Sequence, residues 1–288
     1  VSPSRGLGDV YKRQVHTPIQ APEELSKKYR RKIREEGITE GGPNSDRDVA
    51  KDNTGVYKTV QNNAVYAGMV ESVDTNLGRI MHRLDELGLS DNTVLILSSD
   101  HGGLSSRGLN SGRELATSNL PYRHGKGWLY DGGLRVPLVV KWPGKVEPGS
   151  VSAVQVTGTD HYPTLLELAG VPLQPEHHRD GRSYLGALHG KDYVRDPMFF
   201  HSALGRPTQT GDTRSSAVIH GDWKLIQWYS LEDESIERTE LFNLANDPYE
   251  HADLYTDEPV KAAELQAMLN EWKLSVNARL GQFKRGGI

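Results

Sequence analysis

Apolar positions along the chain follow two different periods. Between residues 66 and 87 they recur at steps of three and four, at Tyr66, Met69, Val73, Leu77, Ile80, Leu84 and Leu87. That spacing places them on one stripe of a long helix, and Gly88 follows as its stop. Residues 93–99, TVLILSS, are instead a short continuous run of β-branched and aliphatic side chains. Such a run predicts a strand buried on both faces of a sheet, with Asp100 at its C-terminal end. A shorter helical pattern runs from about Glu23 to Glu35, with Pro22 tolerated at its start and Gly37 ending it. Residues 41–54, rich in Gly, Asn, Asp and Ser, read as an exposed loop.

Further along, a second strand is expected over residues 136–141, after the turn Asp131-Gly132-Gly133. Asp160 reads as the N-cap of a helix over residues 161–169, with Gly170 as its stop. Past about Gly181 short alternating runs take over, at residues 198–200, 217–220, 223–228 and 240–242. These predict a small antiparallel sheet. The last helical pattern, near residues 259–280, carries Leu265, Met268, Trp272 and Val276 on one side and is expected to pack on it. The fold class is therefore α/β, with a larger unit over residues 15–180 and a small α+β unit over residues 181–288. Residues 1–14, VSPSRGLGDVYKRQ, have no apolar period and no capping logic, and read as a non-native read-through segment.

Composition narrows the functional classes. With 36% hydrophobic and 25% charged residues, and acidic and basic side chains interspersed to a net charge of -4, the chain suits a globular protein. It offers no basic face for a nucleic acid. The densest cationic run, KKYRRKIR at residues 27–34, lies on a predicted helix followed by Glu35 and Glu36, and reads as a solvated face. The absence of cysteine excludes disulfides, thiolate metal sites and a cysteine nucleophile within these residues. No apolar run reaches the ~18 residues of a membrane-spanning helix.

Four places carry residue types suited to hydrolysis: His16, the pair Asp100-His101, the turn from His124 to Lys126, and His201. Ligands of open α/β sheets bind beyond the carboxyl ends of the strands, where Asp100 and His101 stand. A carboxylate beside an imidazole there can hold a hard cation, and Gly102 and Gly103 let backbone pass close by. The plainer alternative is a strand-end turn with a capping Asp. Lys126, bracketed by Gly125 and Gly127, can aim an ammonium at a fixed anion such as sulfate or phosphate, or can be an ordinary surface lysine.

The blocks VHTPIQAP, YAGMVESVDTNLGRIMHRLDELGLSDNTVLILSSDHGG, HGKGWLYDGGLRVPLVVKWPG, TDHYPTLLELAG, GDWKLI and ELFNLANDPYEHADL together resemble the sulfatase family of the alkaline phosphatase superfamily. The resemblance runs from residue 15 to about residue 254. It implies part of an alkaline phosphatase-like sandwich, with a central mixed sheet flanked by helices. It also implies a sulfuric ester hydrolase acting on sulfated carbohydrates, with one divalent cation, usually Ca2+. On this resemblance Asp100 binds the cation and His101 occupies the neighbouring ligand position, which many sulfatases fill with asparagine. Lys126 contacts a sulfate oxygen and the ester oxygen, and His16 helps protonate the departing alcohol. His201, in PMFFHSALGRP, resembles a segment near the substrate mouth, with a buried structural histidine as the alternative. Arg135, in GGLRVP, is expected to form a structural ion pair.

The family's nucleophile is a formylglycine, installed by a formylglycine-generating enzyme on Cys or Ser in a Cys/Ser-x-Pro-x-Arg motif. Residues 1–5, VSPSR, imitate that motif with Val1 at the nucleophile position, and only ten residues separate Arg5 from His16. The chain is thus expected to keep the leaving-group side of the site, to lack the nucleophile side and to show no appreciable turnover. A periplasmic or extracellular parent is what the resemblance implies. A phosphodiesterase or phosphonate hydrolase of the same superfamily, or a non-catalytic protein that binds sulfated glycans, is the alternative.

Overall fold

The computed structural model describes residues 18–41 and 48–281. His16 and the motif-like residues 1–5 lie outside them, as does the segment read as read-through. Helix α1 (Glu23–Glu35) is followed by strands β1 (Val49–Lys51) and β2 (Val56–Lys58), helix α2 (Ala64–Glu86), and strands β3 (Leu95–Ser98) and β4 (Ser106–Arg107). Next come the short helix α3 (Asp131–Leu134), strand β5 (Leu138–Lys141), and helices α4 (His161–Leu168) and α5 (Leu185–Leu188). Strands β6 (Met198–Ser202), β7 (Ser215–His220), β8 (Trp223–Tyr229) and β9 (Ile236–Asn243) precede the last helix, α6 (Pro259–Ser275).

Both predicted N-terminal helices form where their punctuation places them. Asn63 caps α2 by accepting the Tyr66 N–H at 2.9 Å, and Gly37 and Gly88 end α1 and α2 at positive φ. The two helices lie against each other at Gly68, where a Cβ would meet the Ala21 and Leu25 Cβ atoms at 3.0 and 3.2 Å. The cationic run on α1 is a solvated face, laced by pairs from Lys27 to Glu23, Arg31 to Glu35 and Lys32 to Glu36.

Three expectations change. The loop expected over residues 41–54 contains β1, which pairs with β2, and β2 in turn with β4, in an antiparallel sheet. Strand β3 is not buried on both faces among the described residues. It pairs only with β5, antiparallel, and the cross-strand neighbours Leu97 and Val139 are 38% and 57% exposed. With no layer over that face, the apolar run stays open, as do Ile80 and Leu87 of the α2 stripe. Asp160 stands at the N-cap position of α4 as expected, but its side chain makes no capping bond into that helix. It closes a 3₁₀ turn (Gly158–Asp160) in which Thr157 and Asp160 form a reciprocal capping box, while its carboxylate also takes the Arg182 N–H and Arg195 Nη2.

The C-terminal sheet has the order β6-β7-β8-β9, every pair antiparallel. Strand alternation sorts its side chains into two cores. Val218, Leu225 and Leu241 meet Ala262, Leu265 and Leu269 of α6, and Trp272 stacks on Phe199 with centroids 5.0 Å apart. On the opposite face Ala217, Ile226, Trp228 and Phe242 meet Trp128, Leu129 and Tyr130, the residues that follow Lys126. Helix α6 ends before Val276, which is 49% exposed, so Ala262 and Leu269 complete the buried stripe rather than Met268 and Val276.

Candidate active site

Beyond β3 the chain turns through Asp100-His101-Gly102-Gly103 and packs directly on the segment that carries Lys126. Gly102 donates its N–H to the Gly133 carbonyl at 2.9 Å, and a Cβ on Gly102 would lie 1.8 Å from the Gly132 oxygen. Only glycine fits that approach. Lys126 donates its own N–H to the Gly103 carbonyl at 3.0 Å. The Asn119 amide completes the weld, reaching the carbonyls of Gly103, His124 and Gly132 at 3.2, 3.1 and 2.9 Å. The strand-end pair and the lysine turn, 25 residues apart in sequence, thus form one unit.

Within that unit the His101 Nε2 lies 3.3 Å from Asp100 Oδ2, and its Nδ1 lies 2.9 Å from the Gly102 carbonyl. With the proton on Nδ1 and donated to that carbonyl, Nε2 keeps its lone pair beside the carboxylate. The Lys126 ammonium is pushed below the usual lysine value, first by partial burial and then by Arg113 and Arg206, while Asp100 acts in the opposite direction.

The neighbouring His124 serves the scaffold. It has φ +55 and is buried, its ring stacked on Trp128 with centroids 4.0 Å apart. Nδ1 approaches Ser106 Oγ at 3.2 Å, and Nε2 approaches Thr54 Oγ1 at 2.8 Å and Asp52 Oδ2 at 3.2 Å. Burial pushes the imidazole below its ordinary value. Burial alone would raise the Asp52 carboxyl, but hydrogen bonds from His124 and Thr54 hold it well below the usual range.

A second scaffold element lies beneath Asp131. Lys224 of β8 is fully buried, its Nζ 2.9 Å from Asp131 Oδ1 and 2.7 Å from Glu250 Oε1, and Glu250 Oε2 accepts the Asp131 N–H at 2.6 Å. Burial opposes the Lys224 charge, but the two carboxylates outweigh it and raise its pKa. Arg135 reaches Asp131 Oδ2 at 3.5 Å, the expected structural ion pair. His201 is engaged at both ring nitrogens, by Ser216 Oγ at 2.8 Å and the Arg279 carbonyl at 3.0 Å.

Sequence reasoning missed Asn119, Asp52 and the pairing of Lys224 with Glu250. Lys224 and Glu250 stand in the blocks GDWKLI and NDPYEH, but nothing local names Asp131 as their common partner. Asp52 is indistinguishable from an ordinary turn residue in its loop.

As a metal site the described residues are incomplete. Asp100 and His101 supply an oxygen and a nitrogen donor on a partly exposed edge, and no group of three or more potential ligands occurs among the described residues. Ca2+ takes about six to eight oxygen donors, so the pair fits as one part of a ligand set.

Comparison with known proteins decides the family. Residues 11–171 match the Sulfatase family, and residues 123–277 match the C-terminal region of N-sulphoglucosamine sulphohydrolase. This chain belongs to the sulfatase family. A sulfatase of Formosa agariphila is 34% identical over 242 residues, covering 76% of this chain and 41% of its own length. An N-acetylgalactosamine-6-O-sulfatase of Bacteroides thetaiotaomicron is 29% identical over 218 residues, covering 71% and 41%. This chain thus spans 41% of the length of these two sulfatases. The crystal structure of Ps i-CgsB shares the fold with a TM-score of 0.67 at 23% identity, covering 94% of this chain and 51% of that one. The architecture is therefore that of an alkaline phosphatase-like sulfatase: an α/β portion followed by an antiparallel sheet with its packed helix. Sulfatases in general depend on a metal and a formylglycine. No described helix is long and apolar enough to cross a membrane.

Proposed function

We propose that this chain supplies the leaving-group side of a sulfuric ester hydrolase site for sulfated carbohydrates. The observation that carries the reading is the junction of the Lys126 turn with the Asp100-His101 strand end through the Gly103 carbonyl. A cation ligand pair and an ammonium held on one rigid unit suit a group that carries charge on several oxygens. Lys126 neutralises a sulfate oxygen and stabilises charge building on the ester oxygen. His16, outside the described residues, protonates the departing alcohol. Asp100 Oδ and His101 Nε2 hold one edge of a divalent cation, Ca2+ in this reading, which when bound polarises the sulfate oxygens. The nucleophile of this reading is a formylglycine made by a formylglycine-generating enzyme in a Cys/Ser-x-Pro-x-Arg motif, which the sequence does not contain. A carbohydrate ester is favoured because the matching Bacteroides relative is named for N-acetylgalactosamine. A periplasmic or extracellular site of action belongs to the same reading. His201, committed to Ser216 and a backbone carbonyl, has no part in it.

The test is titration of the chain with N-acetylgalactosamine 6-sulfate in calcium and in chelator. Lys126→Ala should weaken binding by about tenfold or more, the loss of a charge-assisted contact, and Asp100→Asn should remove the calcium dependence. Unchanged affinity in Lys126→Ala would overturn the assignment. Aryl sulfate turnover by this chain, after coexpression with a formylglycine-generating enzyme, should be undetectable.

A further inference from the structure

A cavity of about 330 Å³ opens at the start of α2, and none of the residues assigned to catalysis lines it. Its size is at the lower end of the range for small-molecule sites. Ile19 and Val65 give it an apolar side. The rest of the lining is planar and polar. Arg30 donates Nε to Glu40 Oε1 at 3.0 Å, and Asn63 donates Nδ2 to Glu114 Oε1 at 3.3 Å. Each pair is held along one edge, so the Arg30 Nη groups and the second oxygen of each carboxylate are left for a ligand.

Gly41 also lines the cavity, and two buried polar groups press against it. A Cβ on Gly41 would collide with Asn62 Oδ1 and lie 2.8 Å from Lys58 Nζ. Asn62 and Lys58 are 1% and 4% exposed. The Asn62 amide is fixed by its Nδ2, which donates to the Thr39 carbonyl at 2.8 Å and to Asp48 Oδ2 at 2.7 Å. Its Oδ1 has no hydrogen-bond partner among the described residues. A buried acceptor left in that state is costly unless a donor reaches it, and here only a residue without a side chain separates it from the cavity.

Charge selects the class of ligand. Arg30 and Lys58 balance Glu40 and Glu114, so neither an anion nor a cation meets an excess of the opposite sign. Several hydroxyl groups, each both donor and acceptor, suit carboxylate oxygens beside guanidinium N–H groups, and Ile19 and Val65 suit the C–H face of a sugar ring. Position ties the cavity to the catalytic unit. Glu114 stands on the loop that leaves Gly103 and returns at Asn119, clamped by the Ala116 N–H on the Leu104 carbonyl and by Gln61 Nε2 on the Ser118 carbonyl, both at 2.9 Å. Tyr66, one turn beyond Asn63, places its hydroxyl 3.7 Å from where a Cβ on Gly103 would lie. Ile19 follows His16 by three positions.

We propose that this cavity is a subsite for an uncharged sugar unit, next along the carbohydrate from the unit whose sulfate ester meets Lys126, with Arg30 and Glu114 binding its hydroxyls. The inference rests on the assignment of Lys126 to the ester sulfate.

The test is binding to the whole 288-residue chain of N-acetylgalactosamine 6-sulfate, of the same sugar extended by galactose at either end, and of the extended sugars without sulfate. One extended sulfated sugar should bind about tenfold tighter than the monosaccharide, the worth of one hydrogen bond to a charged group. In Arg30→Gln/Glu114→Gln that ratio should fall to about one, with the affinity for the monosaccharide and the thermal midpoint unchanged, because the Asn63 cap on α2 stays in place. The matching unsulfated sugar should shift the Val65 methyl resonances in wild type and in Lys126→Ala alike, and not in the double variant. A wild-type ratio near one, or a ratio retained in the double variant, overturns the subsite while leaving Lys126 untouched. Val65 shifts in a chain whose binding of the sulfated sugars ignores Lys126→Ala overturn the Lys126 assignment instead.

Discussion

Gly102 is the narrowest point of the site, because a single methyl there would collide with the Gly132 carbonyl. Gly102→Ala should therefore cost about 3 kcal/mol of stability, at the upper end for overpacking, read as a drop in the urea midpoint. A variant as stable as wild type would mean that the two turns are not in contact. His124 makes a pH prediction. Its folded pKa is lowered by burial, whereas an unfolded histidine titrates near ~6.5. As pH falls below that value the unfolded chain takes up a proton that the folded chain refuses, so stability is lost on acidification. The depressed Asp52 carboxyl works lower, its contribution persisting above ~3.9 and fading as pH drops towards its folded value. The urea midpoint should thus decline between pH 7.5 and pH 5, and His124→Gln should flatten that interval. Asp100, His101 and Lys126 could be named as candidates from the sequence because they stand among glycines and at a strand end. Asp52 could not, since the histidine that gives it a role lies 72 positions away and only tertiary packing joins them.

At the scale of elements, Lys224 is the bolt between β8 and the Asp131 turn. Lys224→Met would leave Asp131 and Glu250 buried with no cation between them, a loss of about 3–5 kcal/mol. Calorimetry should show a thermal midpoint many degrees lower; a shift within error would mean that water reaches the pair. The four-stranded sheet was visible because its short apolar runs are separated by turn signals; that their side chains divide between α6 on one side and the Trp128 to Tyr130 segment on the other was decided by the tertiary fold. Helix α6 was placed correctly but its stripe was shifted. Ala262 and Leu269 match the groove over Val218 and Leu241 at steps of three and four, and a lone periodic Val beyond the last turn has nothing to pack on.

At the scale of the whole molecule, one apolar face stays uncovered among the described residues: Leu97 and Val139 sit side by side on the β3–β5 ladder. Such a face should bind a hydrophobic dye and promote self-association. Leu97→Lys with Val139→Lys should abolish the dye signal and leave the C-terminal sheet intact by circular dichroism. Persistent dye binding in that variant would place the sticky surface elsewhere.

By itself the sequence determined the four longer helices, the C-terminal antiparallel sheet and the residue types offered at Asp100, His101 and Lys126. Periodicity, punctuation and residue type are local properties, and short-range sterics and hydrogen bonding act on them directly. Only the tertiary structure decided that the DHGG turn and the lysine turn are one unit. It also decided that β3 keeps an open face. Each of these depends on what approaches from far along the chain, and a close backbone approach such as that of Gly102 to Gly132 leaves no periodic trace in the residues that permit it.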